Sequence, residues 1–576
     1  MARQTRPPPP RCGRNPRTMA RPRRSASAGR SPAGSAPPTS REWPPRPQVV
    51  SVRWAPEGPD RRRKASTVAR KPASWRSLRV ASLTIRPSVP PDLLASLPTV
   101  REERAWSPAN LPGQTRHRRP RGTAMPNARR ALVVLIDAAR RREAHERFAA
   151  SSMPALAEAT TATLIAPSCW TVPSVASLLT GLHPAEHGLT WPLTDRPAPR
   201  PTIAEILERD GRTFRLLSGN NLCGPPVLPL RDDHVFRPHD RSRVGIALAR
   251  TLAGVDYGSR AILREVRRMA ESAALPDLLV VHLQEAHHPY LAPPRGLALR
   301  TRVRYSMGHL AYYLTRRAQV WDFAASAEAK AWQTQRARYL RCLDYTTGIA
   351  EEILRTYERA GALEDALVIV TSDHGEHLGE HGLADHQGSL HEELVNCPCA
   401  LIAPGLRPRT SISAQFQHTD LLMTITNYLG VPAVGYEPRH APLDLLDPAN
   451  HARGHEHTFM QWRAWGADQL RDLQRRNPRY DFTALTRDLL GVRTREWKYI
   501  VEDDASGSLY SLSSEAGERR DLSAMHPVLC AALKARLERW SESIAAAGRD
   551  HWGASTCDHG SDESRVEGRL RDLGYR

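Results

Sequence analysis

Three short apolar segments decide the fold: Ala131-Leu-Val-Val-Leu-Ile136-Asp137, Asp277-Leu-Leu-Val-Val-His-Leu283 and Ala366-Leu-Val-Ile-Val-Thr371-Ser-Asp373-His374. Each apolar run is about six residues long, which is typical of a strand that is buried on both faces. Helical stretches separate the runs. This alternation predicts an α/β domain built on a doubly wound, mostly parallel sheet.

Polar residues stand where each predicted strand ends. Asp137 follows the first strand, His287 comes shortly after the second, and Asp373 and His374 follow the third. Ligands of open α/β sheets bind beyond the carboxyl ends of the strands. We therefore expect these side chains to meet in one site.

A fourth element, Ser168–Gly181, points to the same place. It reads as a loop followed by a helix, with Pro173 in the first turn and Gly181 as the stop signal. Thr171 is then at the positive end of the helix, where free backbone N–H groups stabilise anions. The alternative is that Thr171 is an ordinary capping residue, since Thr is common at helix starts.

The positive charge of the chain is confined to its first 125 residues. They hold 27 of the 82 Lys and Arg, 6 of the 61 Asp and Glu, and 22 of the 48 Pro, so they account for the whole net charge of +21. Such a composition predicts disorder over residues 1–125, and Met125 is a candidate for the true start. The remaining 451 residues are neutral, so no specific nucleic-acid partner is expected unless the tail supplies one.

The composition also bears on location. Apolar runs of about six residues are far shorter than the roughly 20 that span a bilayer, so no membrane span is expected, and no secretory signal is recognisable. The eight cysteines lack C-x-x-C spacing, which favours reduced, buried thiols and a cytoplasmic protein. Cys397-Pro398-Cys399 is predicted to lie in a buried strand rather than on a metal.

Further motifs follow one another in an order that is characteristic of one family. They are Asp137 after an apolar strand, Thr171-x-Pro173-Ser174, Ala176-Ser-Leu-Leu-Thr-Gly181, His187-Gly188, His287-x-Pro289-Tyr290, Thr371-Ser-Asp373-His374-Gly375-Glu376-x-x-Gly379-Glu380-His381-Gly382, Asp385-His386-x-x-Ser389-Leu-x-Glu392-Glu393 and Gly491-Val-Arg-Thr-x-x-Trp497-Lys498-Tyr499. In this combination the chain resembles the sulfatase family of the alkaline phosphatase superfamily, over nearly all of residues 128–550.

The resemblance implies a domain organisation. Residues 126–445 form the alkaline-phosphatase-like catalytic α/β domain, and residues 446–576 form a small C-terminal α+β subdomain with antiparallel strands and a helix. The spacing of apolar residues predicts that helix over Pro527–Ala547. Its inner face carries Leu529, Leu533, Leu537 and Trp540.

The resemblance also implies a site. Asp137, Asp373 and His374 become ligands of a divalent metal, which could be Ca²⁺, Mg²⁺, Mn²⁺ or Zn²⁺. Thr171 stands at the position of the nucleophile and also faces the metal. His287 and His386 would contact the ester oxyanion or protonate the leaving group.

Four departures from the sulfatase pattern bear on the chemistry. Thr171 replaces the cysteine that sulfatases convert to formylglycine, so no formylglycine is expected. Val175 replaces the arginine of the motif, and Ala138 replaces the second of two adjacent aspartates. Ser218-Gly-Asn220-Asn221 stands in place of a Gly-Lys-Trp-His segment that contacts sulfate.

We therefore expect a metal-dependent hydrolase of a sulfate or phosphate ester. The substrate would be a small molecule or a glycan or lipid ester. Two alternatives remain: a catalytically weak pseudoenzyme that binds an anionic ligand, and a phosphodiesterase or phosphotransferase.

A chain that begins at Met125 should be as stable as the full chain, because residues 1–124 contribute charge and no apolar periodicity. The midpoints of thermal unfolding of the two proteins, measured side by side, should agree. A clear drop in the midpoint on truncation would show that the tail packs on the folded domain.

Overall fold

The structure is a computed structural model that describes residues 129–190, 201–238, 256–288, 290, 329–436, 438–503, 507–513 and 517–551. The tail predicted to be disordered, residues 1–125, lies outside this part of the chain. Within the described ranges, no helix combines the length and the apolar composition that crossing a bilayer requires.

The described part of the chain contains fifteen strands and twelve α-helices. The strands are β1 Arg130–Ile136, β2 Thr160–Ile165, β3 Phe214–Ser218, β4 Val235–Phe236, β5 Leu278–Leu283, β6 Ala366–Thr371, β7 His377–Leu378, β8 Ala384–Asp385, β9 Asn396–Cys397, β10 Cys399–Ile402, β11 Ser411–Gln417, β12 Thr458–Trp462, β13 Leu489–Arg493, β14 Trp497–Glu502 and β15 Ser508–Ser511. The helices are α1 Arg141–Ala149, α2 Pro154–Ala157, α3 Thr171–Thr180, α4 Pro184–His187, α5 Ile203–Arg209, α6 Ser259–Glu271, α7 Ala329–Arg359, α8 Glu392–Val395, α9 Leu421–Leu429, α10 Pro448–Arg453, α11 Ala467–Arg476 and α12 Pro527–His551.

The central sheet has nine strands in the order β11-β2-β10-β6-β1-β5-β3-β4, with β9 paired to β2. Strand β1 is parallel to both of its neighbours, so that Leu132 pairs with Leu279 on one side and with Val368 on the other. Strand β10 runs antiparallel to β6 and β2. The sheet is thus mixed, and the predicted α/β class is confirmed.

Both faces of this sheet are covered, which explains why its strands are uninterrupted apolar runs. Along β1, Leu132, Val134 and Ile136 face a core that also contains α1, α6 and α7. The alternate residues of β1 face a second core, which contains α3, α5 and α9. Because β1 has an apolar layer on each side, apolar and polar residues do not alternate along it.

A second sheet, β12-β13-β14-β15, is antiparallel throughout and lies within residues 446–576. Helix α12 packs against it through Leu533, Leu537 and Trp540, as the spacing of these residues predicted. The Trp540 ring stacks on Phe459 of β12 with centroids 4.7 Å apart.

All six cysteines in the described part of the chain are free thiols, and five of them are buried. Cys397 lies in β9 and Cys399 in β10, which confirms the strand predicted for this pair. Burial raises the pKa of Cys399 to about 12, so its thiol stays protonated at neutral pH.

A buried ion network ties the second sheet to the part of the chain that carries the central sheet. The Lys498 ammonium of β14 is fully buried and lies 2.6 Å from Glu392 and 2.9 Å from Glu518. It also donates a hydrogen bond to the Leu390 carbonyl at 3.0 Å. Arg493 of β13 donates two hydrogen bonds of 2.9 Å to the same Glu392 carboxylate. The motif residues near the end of the chain therefore have an architectural role.

Replacing Lys498 by Met should lower the free energy of unfolding by roughly 3–5 kcal/mol, because it leaves the buried Glu518 carboxylate without its ammonium partner and leaves Glu392 with Arg493 alone. Urea unfolding followed by circular dichroism measures the change. A matched control is Arg142→Met, which breaks an exposed pair with Glu146 and should cost less than about 1 kcal/mol. Equal stability of the Lys498 variant and the wild type would contradict this role of the network.

Candidate active site

The predicted site residues come together at the carboxyl ends of β1 and β6. These strands are neighbours in parallel register, with Leu135 opposite Thr371, so the residues that follow them emerge side by side. Asp137 follows β1, while Asp373 and His374 follow β6, and all three side chains are buried. Their ligand atoms lie within 4.8 Å of one another, close enough to hold one metal ion.

The two carboxylates are arranged to face a cation. Oδ1 of Asp373 accepts hydrogen bonds from the backbone N–H of Ala138 at 3.3 Å and of His374 at 2.9 Å, which leaves Oδ2 for the site. Oδ2 of Asp373 and Oδ1 of Asp137 are buried and have no hydrogen-bond partner among the described residues. Buried, unpaired carboxylate oxygens are costly unless a positive charge meets them. The donor set therefore fits a divalent cation.

The backbone fixes His374 in the form that a metal requires. Its Nδ1 donates to the Gly375 carbonyl at 2.8 Å, so Nε2 carries the lone pair. Nε2 lies 3.5 Å from a carboxylate oxygen of Asp137 and 3.5 Å from one of Asp373. Gly375 packs directly on the Glu393 carbonyl, where no Cβ atom would fit. A side chain there would displace His374.

Thr171 is the first residue of α3, and it is buried beside His374. Its Oγ1 lies 3.2 Å from Nε2 of His374. Trp170, not Thr171, is the capping residue, and the helix ends at Gly181 with φ +66°, as predicted. The hydroxyl is thus held between the positive end of a ten-residue helix and the Asp-His cluster.

His287 and His386 complete this group. Their ring centroids are 4.7 Å apart, and His386 stacks on His374 at 4.3 Å. Burial lowers the pKa of His287 to about 3, so its imidazole is neutral at pH 7. Burial also opposes a charge on His386, but the adjacent Asp385 raises its pKa well above the ordinary value. Every residue that the sequence assigned to the site therefore lies in one buried cluster.

The profile of the family described as Sulfatase matches residues 130–431, which is more than half of the 576 residues. The chain belongs to the sulfatase family. Proteins of this family generally use a divalent metal, in agreement with the donor set at Asp137, Asp373 and His374.

Sequence relatives of this sulfatase-family chain match only part of it. Arylsulfatase K of Danio rerio is 25% identical over 198 residues, which are 34% of this chain and 35% of that protein. The arylsulfatase of Volvox carteri is 26% identical over 219 residues, or 34% of this chain and 32% of that protein. The chain thus matches about a third of the length of these curated relatives.

Among solved structures, the phosphonate monoester hydrolase of Silicibacter pomeroyi has a TM-score of 0.54 and 16% identity, over 75% of this chain and 100% of the other. At this identity the likeness concerns the fold. It confirms that the mixed sheet and its helices have the arrangement seen in the sulfatase-like proteins.

The structure adds a residue to this sulfatase site that the sequence did not reveal. His282 of β5 is fully buried, and its Nε2 lies 3.4 Å from Asp137 and 3.6 Å from Asp373. Burial lowers its pKa, but Cys223 and the two carboxylates raise it well above the ordinary value. The only sequence signal was a histidine in an otherwise apolar strand.

The segment Ser218-Gly-Asn220-Asn221 also reaches the sulfatase site. The Asn220 side-chain amide donates to Oδ2 of Asp137 at 3.3 Å, and the Ser218 hydroxyl lies 3.2 Å from Nδ1 of His282. Where the family pattern has a segment that contacts sulfate, this chain uses short polar side chains to position Asp137 and His282.

Asp137→Ala and Asp373→Ala should each lower the metal content of the purified protein by about one equivalent per chain, because each removes a charged ligand. His374→Ala should lower it less completely. Mass spectrometry of metals after gel filtration measures the content. The control Asp344→Ala removes an exposed carboxylate that pairs with Arg147, and it should leave the content unchanged. Full metal content in both aspartate variants would mean that the cation binds elsewhere.

Proposed function

We propose that the protein is a metal-dependent hydrolase that cleaves a phosphate or sulfate ester with Thr171 as nucleophile. The observation that carries the proposal is the position of the Thr171 hydroxyl. It lies 3.2 Å from Nε2 of His374 at a helix N-terminus, beside buried carboxylate oxygens of Asp137 and Asp373 that lack partners among the described residues. A hydroxyl needs such surroundings to act as a nucleophile at neutral pH.

Asp137, Asp373 and His374 would hold the cation. When bound, the cation stabilises the Thr171 alkoxide and offsets negative charge on the transferred group. The Thr171 hydroxyl lies 3.2 Å from Nε2 of His374, so the nitrogen that would ligate the cation also places the hydroxyl next to it. Asn220 and His282 hold Asp137 in place from the opposite side.

The reaction then has two steps. Oγ1 of Thr171 gives up its proton to solvent and forms a bond to phosphorus or sulfur while the bond to the leaving oxygen breaks, and the N-terminus of α3 stabilises the charge on the transferred group. His386, whose pKa is raised by Asp385, protonates the leaving oxygen, and the neutral His287 ring lies beside it. In the second step, water attacks the phosphorus or sulfur of the adduct, the bond to Oγ1 of Thr171 breaks, Oγ1 takes up a proton from that water, and the free acid leaves.

The second step favours phosphorus over sulfur. A formylglycine hydrate has a second hydroxyl and expels sulfate by forming an aldehyde, whereas a threonine adduct is released only by attack of water on the bound group. Hydrolysis at phosphorus is the reaction that a metal assists most directly. The phosphonate monoester hydrolase of Silicibacter pomeroyi has the same fold, so this fold accommodates such substrates. We therefore propose a phosphodiester or phosphonate monoester as the preferred substrate class.

With Mn²⁺ or Zn²⁺, the wild-type protein should hydrolyse an activated phosphodiester or phosphonate monoester faster than the matching aryl sulfate. Thr171→Ala should lower kcat/KM by at least about 10³-fold, because the nucleophile is lost. Release of nitrophenol at fixed pH measures both.

Thr171→Ser is the matched control, because it keeps a hydroxyl at the same position and should retain activity. The metal content and unfolding midpoint of Thr171→Ala should match those of the wild type. Efficient turnover of aryl sulfate with inert phosphoesters would overturn the ester preference. A metal-loaded protein that cleaves none of these esters would favour a pseudoenzyme that binds an anionic ligand.

A further inference from the structure

A long connection lies between two strands of the second sheet. Strands β12 and β13 are antiparallel neighbours, and such strands can be joined by as few as about two residues. Residues 463–488 separate them instead, and they include α11 and a turn of 3-10 helix at Thr483–Thr486. We call this segment the β12–β13 connection. Joining the two strands does not by itself require such a length.

The β12–β13 connection packs against residues 384–390, the segment that carries His386. Every residue of that segment is buried. Leu485 of the connection belongs to the same apolar core as Ala384 and Leu390. Those two residues lie on either side of His386, so the connection covers the segment that presents this ring to the site.

The backbones of the two segments approach closely at Gly388, two residues after His386. A Cβ atom at Gly388 would lie 2.7 Å from the Ala484 carbonyl oxygen and 2.8 Å from Cδ2 of Leu485. The φ angle of Gly388 is +70°, in the left-handed region that favours glycine. The connection therefore restrains the backbone directly after His386.

The connection also contacts the backbone before His386. Burial raises the pKa of Tyr480 to about 12, while a hydrogen bond between its hydroxyl and the backbone of Ala384 opposes that rise. Asp385, which lies between Ala384 and His386, has a φ angle of +71°. Such a backbone conformation is unfavourable for a residue with a side chain and persists where the surroundings hold it in place. Contacts on both sides thus fix the backbone of His386.

Strand β12, from which the connection starts, is bonded to the loop that carries Thr171. The backbone N–H of Gln461 donates to the Pro167 carbonyl at 3.0 Å. The Gln461 carbonyl accepts a hydrogen bond of 2.8 Å from the Ser168 hydroxyl. The second sheet is therefore attached to the segments of both Thr171 and His386.

These two segments also touch each other directly. Cys169 lies two residues before Thr171 and is fully buried. Burial raises the pKa of its thiol to about 12, against hydrogen bonds with the backbone of Ser389 and Gly388. Thr171 and His386 are thus held within one packed unit, of which the connection forms one wall.

We propose that the β12–β13 connection positions His386 against the leaving oxygen of the ester that Thr171 attacks. The inference rests on the proposed function, in which His386 protonates that oxygen. A proton donor must lie within hydrogen-bond reach of its acceptor, so a shift of roughly 1 Å removes most of its effect. Gly388 and Tyr480 are therefore positioning residues, which act through His386.

The test compares two leaving groups on one acid, the nitrophenyl and the phenyl monoesters of phenylphosphonic acid, with Mn²⁺ present. Nitrophenolate leaves with little help from an acid, whereas phenolate is more basic and gains more from protonation. Gly388→Ala should lower kcat/KM for the phenyl ester at least about 10-fold more than for the nitrophenyl ester, because a Cβ atom would displace Ala484 and shift His386. Chromatography of the phenylphosphonate product measures both rates.

Gly211→Ala is the matched control. Gly211 has nearly the same φ angle, +73°, and no atom of the described residues lies within 4 Å of the position of its Cβ. This variant carries the same backbone strain and should keep the wild-type ratio of the two rates. Tyr480→Phe retains the ring but loses the hydroxyl that bonds to Ala384, so it should shift the ratio in the same direction by less.

Equal losses for the two esters in Gly388→Ala, with an unchanged ratio in Tyr480→Phe, would mean that the connection only stabilises the fold. That result would overturn the inference and leave the proposed function intact. If Gly388→Ala does not fold, the ratio in Tyr480→Phe decides alone. A wild type that cleaves the nitrophenyl ester but not the phenyl ester would overturn the inference while Thr171 remains the nucleophile. A wild type that cleaves neither ester would refute the proposed function, and the inference with it.

Discussion

The burial of two carboxylates at the ends of adjacent parallel strands is the constraint on which the rest of the site depends. The register of β1 against β6 brings Asp137 and Asp373 together inside a covered sheet, where like charges repel strongly and solvation is lost. The surroundings supply positive or donor groups from every side. These are backbone N–H groups on Asp373, the Asn220 amide, the His282 ring and the N-terminus of α3. A divalent cation held by Asp137, Asp373 and His374 would complete the balance.

The residues that carry the family resemblance have two different physical roles. Some surround the candidate active site, as Thr171 and His374 do, while others hold the architecture together. Lys498 and Glu392 belong to the second class, because their buried ion pair fastens the antiparallel sheet to the catalytic domain. Gly375 belongs to it too, since the close approach of the Glu393 carbonyl leaves no room for a side chain. A sequence motif alone does not distinguish these roles, whereas the contact distances and the burial of each side chain do.

Much of the fold was predictable because its physical causes are local. The strand at Ala366–Thr371 was predicted to the residue, and α3 was predicted from Pro173 and Gly181, which act within one turn of the chain. The antiparallel direction of β10 was not predictable, because the composition of a short apolar strand does not show whether it runs parallel or antiparallel to its neighbours. His282 was missed for a related reason. A single histidine in a strand gains its meaning from carboxylates about 90 and 145 residues away in sequence, which only the folded sheet brings near.

The departures from the sulfatase pattern form one consistent set. In the sulfatase pattern, a formylglycine hydrate expels sulfate by forming an aldehyde, so no water has to attack sulfur. The threonine adduct proposed at position 171 would have to be hydrolysed by water activated next to it. The proposed threonine chemistry would work in a site where Ala138 replaces the second aspartate and where Asn220 and His282 hold Asp137 on the side that contacts sulfate in the family pattern. The choice of nucleophile and the distribution of charge around it thus follow from the same chemical requirement.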